Sequence, residues 1–98
     1  MLIIPLTDTI PLPAPGSRSC TAADLMAVSD WRARYLTALD ALVIPESMDV
    51  LEAANLKGQI IQLRANMKLI ATRQTWRGMV DFILGQNRSL DQIKIDIA

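Results

Sequence analysis

The sequence predicts a mainly α fold: a helical hairpin or small three-helix bundle, with an extended N-terminal arm and a short C-terminal β-strand. Three observations carry this. The stretch from Ser47 to Leu84 has no proline. Within it Leu56, Ile60, Leu63, Met67 and Ile70 step by three and four, the spacing of one helical face. Pro5, Pro11, Pro13 and Pro15 crowd the first residues instead, and each lacks an N–H and fixes φ, which excludes a helix there. The chain divides into an arm over 1–20, a helical body over 21–88 and a tail with the strand over 89–98.

The arm has strand-type residues, Leu2-Ile3-Ile4 and Leu6 to Ile10, but Pro5 would confine such a strand to a sheet edge. From Pro11 every second residue to Pro15 is proline, which favours polyproline geometry. The body opens at Thr21-Ala22-Ala23-Asp24, close to a capping box with Asp in place of Glu. A first helix is expected from about Ala22 to about Val43, continuous or slightly broken at Ser29-Asp30, with Leu25, Val28, Tyr35, Leu39 and Leu42 stepping by threes and fours and Trp31 beside them. Ile44-Pro45 ends it, because the residue before proline leaves helical geometry.

The second helix is expected to start near Pro45 or Ser47, with Glu46, Asp49 and Glu52 at its positive end. Its stripe Leu56, Ile60, Leu63 and Met67 should pack on Leu25, Val28, Tyr35 and Leu39. Further on, Trp76, Met79, Val80 and Ile83 form a stripe nearly opposite the first, so a break is expected between Thr72 and Thr75. Gly85 would cap the last helix. Ser89-Leu90-Asp91-Gln92 has capping-box form, and Ile93-Lys94-Ile95-Asp96-Ile97 alternates strictly, as a half-buried strand does.

The composition excludes more than it proposes. The chain has 98 residues and no histidine, which removes the commonest general base and metal ligand. The single cysteine, Cys20, cannot form an internal disulfide; it precedes a helix and reads as an incidental thiol. The glycines match no phosphate-binding loop, and the carboxylates are spaced as caps and solvated faces. No enzymatic activity and no cofactor or metal is therefore expected. Nor is a membrane span, since no apolar run is long enough. Pro5 and Asp8 interrupt the apolar start, so a signal peptide is not expected, and the protein is placed inside the cell or within a viral particle.

Charge is balanced overall, ten basic against ten acidic residues, but unevenly distributed. Thr21 to Glu52 is acidic, whereas Ala53 to Val80 holds Lys57, Arg64, Lys68, Arg73 and Arg77 and no acid. Lys57, Arg64 and Lys68 share one helical face. That face either pairs with the acidic first helix or meets an acidic partner or nucleic acid.

Hydrophobic residues make up 51% and charged residues 20%, which leaves apolar surface for partners. Leu2, Ile4, Leu6, Ile10 and Leu12 in the arm and Ile93, Ile95 and Ile97 in the tail are the expected contacts with neighbouring protein subunits, by strand addition or by filling a groove. A compact helical centre with reaching termini resembles, in architecture alone, small accessory subunits of viral particles such as tailed-phage capsids or connectors. The expected role is a non-catalytic structural or interaction subunit. The alternative is a small nucleic-acid-binding regulator using Lys57, Arg64 and Lys68.

Overall fold

A computed structural model describes residues 18–97, which form three helices; no strand occurs among them. Helix α1 spans Ala22–Asp40. Its start is the predicted capping box: the Asp24 N–H donates to Thr21 Oγ1 at 3.1 Å, and the Thr21 N–H donates to the Asp24 carboxylate at 2.9 Å. The helix runs unbroken through Ser29-Asp30 and buries Val28, Trp31, Tyr35 and Leu39. Leu25, expected in the core, is 53% exposed. Asp24 takes the inward position of the first turn instead, and Leu25 lies about 100° round the helix from it. The helix stops at Asp40, short of Val43, where the Leu42 N–H reaches back to Leu39 O at 3.2 Å and tightens the last turn.

Helix α2 spans Val50–Asn66. It begins later than Pro45 or Ser47 because Asp49 is the better cap: its carboxylate accepts the N–H groups of Leu51 and Glu52 at 3.1 and 3.4 Å. Pro45 to Met48 form a turn closed by a 3.1 Å backbone bond, so Glu46 sits in the connection. Leu56, Leu63 and Met67 are buried, and Ile60 is half-buried against them.

After Asn66 the chain tightens into a 3₁₀ segment, Met67–Thr72. Arg73 is extended, and helix α3, Trp76–Ile97, starts afresh. The break falls where the apolar stripe changes sides. Thr75 heads the new helix; its hydroxyl accepts the Gly78 N–H at 3.1 Å and its carbonyl the Met79 N–H at 3.0 Å.

Helix α3 overturns the expected tail. Gly85 lies inside it and caps nothing; Ser89 is mid-helix, with its hydroxyl donating to Gly85 O at 3.2 Å. Ile93 to Ile97 are helical, so the C-terminal β-strand does not form and the body runs through to Ile97. An alternating run contains an i, i+4 pair, and here that pair prevails: Leu90, Ile93 and Ile97 step three and four along the face turned to the core. Ile93 is 1% exposed, whereas Ile95 points out at 66%. Gln92 donates to Asp96 at 3.0 Å one turn along and favours the helical course.

The core is a single cluster to which all three helices contribute. Trp31 and Tyr35 are fully buried with ring centres 5.0 Å apart. Their polar tips reach the middle of α3: Trp31 Nε1 donates to Asn87 Oδ1 at 3.0 Å, and the Tyr35 hydroxyl donates to Gln86 O at 3.1 Å. Burial, helped by nearby Asp91, pushes the Tyr35 phenol up to about 12, so it stays protonated and able to donate.

The helical end of α3 makes unequal demands on neighbouring isoleucines. Ile93→Ala should destabilise the fold by about 2–5 kcal/mol through lost burial and a residual cavity. Ile95→Ala should stay within about 0.5 kcal/mol. Thermal melts of the two variants test this; equal losses would mean the segment is not held as described.

Candidate functional site: the outer face of the second helix

Helix α2 carries apolar residues on two sides. At about 100° per residue, Leu56, Ile60, Leu63 and Met67 cluster on the side facing α1 and α3. Leu51, Ala54, Gly58, Ile61 and Ala65 also step three and four, and their mean direction lies roughly 170° away. That second stripe faces solvent. Leu51 is 80% exposed and Ile61 68%, and Val50 beside them is 80% exposed. Gly58, in its centre, would meet nothing within 4 Å if it carried a Cβ. Nothing within the described residues requires a glycine there, although glycine destabilises a helix interior by about 0.5–1 kcal/mol relative to alanine.

At the N-terminal end of this face the Pro45 turn folds beside the helix and leaves an open groove of about 370 Å³. Ile44, Pro45, Met48, Val50 and Ala54 line it, with Glu46 and Lys57 at its polar edge. At the other end, Leu69 of the 3₁₀ segment is 44% exposed. The outward side of α2 thus carries apolar residues from Val50 to Ala65, while Glu52 lies roughly 140° round the helix from it and Asp49 is taken up as the N-cap.

The three expected basic residues do not act alike. Lys57, Arg64 and Lys68 are all exposed, but Arg64 is ion-paired with Asp40 across the α1–α2 junction. That pair is the cross-helix charge contact expected of an acidic helix beside a basic one. Being exposed on both sides, it orients the helices more than it stabilises them.

Of the expected subunit contacts, Leu2, Ile4, Leu6, Ile10 and Leu12 lie outside the described residues. Ile93 is buried and Ile97 half-buried in the chain's own core, so in the tail only Ile95 is left facing outward. The outer stripe of α2 was missed by sequence reasoning. Its signal is present, a second three-four series interleaved with the first. Cys20 is half-buried against the core as a free thiol. Among the described residues no three His, Cys, Asp or Glu side chains gather as a metal site would require, and no helix is long and apolar enough to cross a membrane.

Arg18 and Ser19, the first described residues, are tied to the start of α3. Arg18 O accepts the Trp76 N–H at 2.8 Å, and Ser19 pairs antiparallel with Thr75. The Arg18 guanidinium lies 5.4 Å above the Trp76 ring and grips Asp24 with both nitrogens. Asp24 is 5% exposed, and its carboxylate also accepts the Thr21 N–H. The Arg18 bond and the Thr21 donors hold the Asp24 carboxyl at about 2, below an ordinary 3.8, against the opposing effect of burial.

A folded-state value below the unfolded one means stability that is present above pH 3.8 and is lost as pH falls toward 2. Asp24→Asn should therefore melt lower than the native chain at pH 7 and lose less on acidification through that window. Parallel slopes of melting temperature against pH would show that the clasp contributes no such linkage.

No protein-family model, curated protein or solved structure matches this chain.

Proposed function

We propose that this chain is a non-catalytic structural or interaction subunit of a larger assembly. The observation that carries the reading is the solvent-facing apolar stripe of α2, with Val50 and Leu51 each 80% exposed. A helix with one apolar side needs one neighbour; α2 has two such sides and one is covered within the described residues. Leu2, Ile4, Leu6, Ile10 and Leu12, upstream of the Arg18 clasp, supply further aliphatic surface for the same purpose. A small accessory protein of a viral, tailed-phage particle, such as a capsid or connector component, is the setting that this architecture suggests.

Magnitudes set how such a contact would work. Burying an exposed aliphatic side chain stabilises by about 1.5–3 kcal/mol. Val50, Leu51, Ile61 and Leu69 together give about 6–12 kcal/mol, against an association cost of about 4–15 kcal/mol. One copy of the α2 face is thus marginal alone, and a stable contact requires surface from elsewhere. The reading in which Lys57, Arg64 and Lys68 meet nucleic acid has less support, because Arg64 is engaged by Asp40 and Glu46 shares the groove with Lys57.

Light scattering with circular dichroism tests the proposal on three chains: native, lacking Met1–Pro15, and Leu51→Glu/Ile61→Glu. The native chain should associate at concentrations on the order of 1 mM or below. Both altered chains should keep their helices and associate less. A monomeric native chain that binds duplex DNA, with an affinity that falls steeply with salt and vanishes on reversing the three cations, would replace this reading with the regulator.

A further inference from the structure

We infer that the outer face of α2 takes a second copy of this chain, with the two α2 helices antiparallel and a two-fold axis at Gly58. The inference rests on reading the chain as an interaction subunit and names that face's partner.

The stripe is self-complementary about Gly58. A two-fold axis there sets residue n of one copy opposite residue 116 − n of the other, because 58 is its own mate. Leu51 of each copy then faces Ala65 of the other, a large side chain against a small one on both sides of the axis, and Ile61 faces Asn55 with Ala54 and Gly58 beside it. At the axis the two glycines meet. Among the described residues nothing lies within 4 Å of the Gly58 Cβ direction, so a neighbouring backbone can approach closely there. This accounts for a glycine where the described residues give no reason for one. Gly85 also meets nothing, but the exposed neighbours on its helix include Arg88, Asp91 and Gln92, which do not make an apolar seam.

The ends match as well. Beyond the ends of α2 the count no longer sets exact mates, but the same axis carries the Lys68-Leu69 end of each copy toward the Pro45 turn of the other. Leu69 is an exposed apolar side chain at one end of the face, and the groove is an apolar opening of about 370 Å³ at the other. Lys68 comes near Glu46 at the groove's polar edge. Antiparallel pairing brings Lys68 of each copy to the end where its mate carries Glu46, whereas parallel pairing would set Lys68 beside Lys68. Opposed helix dipoles favour the same arrangement. A two-fold contact also counts each apolar residue twice, which removes the shortfall of a single copy.

Disulfide trapping in the full chain reads the register directly. In a Cys20→Ser background, Gly58→Cys places its thiol at the axis, within the Cα separation of about 4.4–6.8 Å that a disulfide needs. Mild oxidation should give a covalent dimer, faster by about tenfold or more than for Gln59→Cys, which is exposed one residue around the helix. Should a Cβ at the axis itself weaken the pair, mixing a Leu51→Cys chain with an Ala65→Cys chain gives an independent trap between residues the axis sets face to face. Gly58→Leu should lower the association constant at least tenfold without loss of helix. Association with no trapping at either site overturns the two-fold seam yet leaves the subunit reading standing. A chain that never associates removes both. Trapping that appears only after deletion of Met1–Pro15 would mean that the chain's own terminal segment covers the face, and would also overturn the inference.

Discussion

The contact on which the rest depends is the seating of Trp31 and Tyr35 against the middle of α3. Two large rings are taken wholly out of water, and their polar tips would be costly there without partners. Asn87 and the Gln86 carbonyl provide them, 56 and 51 residues further along the chain. These two bonds allow one register of α1 on α3. They also explain why α3 passes straight through Gly85: the residues that follow are needed against α1, so a stop at the glycine would abandon the core. With α1 and α3 seated, α2 has one way to lie, along their joint with Leu56, Leu63 and Met67 turned inward.

Much of this was readable from residues alone. The Thr21–Asp24 box, the inward stripe of α2 and the restart before Trp76 are local or periodic signals, and each appears in the structure. Other features were not local. A glycine ends a helix only where the chain needs a left-handed turn, and whether it does so at Gly85 depends on Tyr35 and Trp31, far away in sequence. The run from Ile93 to Ile97 is too short for its period to be read uniquely, because alternation and helical spacing share the i, i+4 step. Pro45 marked a boundary correctly, but Asp49 set the start of α2 because a carboxylate satisfies backbone N–H groups that proline cannot. The candidate surface was legible too, but one stripe per helix is the ordinary expectation, and the inward one had already met it.

The division of labour among the helices bears on function. Helices α1 and α3 hold nearly all the large buried side chains, and α2 gives few. Substitutions on the outward side of α2 should therefore have little effect on folding. The clasp fixes Arg18, where the described residues begin, beside Trp76 at the start of α3.

The placement of α2 inside the loop that α1 and α3 close also has a kinetic side. Closing that loop carries an entropic cost that grows slowly, about 0.6 kcal/mol per doubling of length, and it must be met before the Trp31 and Tyr35 contacts are rewarded. Once it is closed, α2 is the element with least to lose by opening. Its amide hydrogens would exchange with solvent through local excursions, while those of α1 and α3 wait for global unfolding. A ligand on the outer face would close off the faster route alone, by mass action on the helix that buries the fewest large side chains.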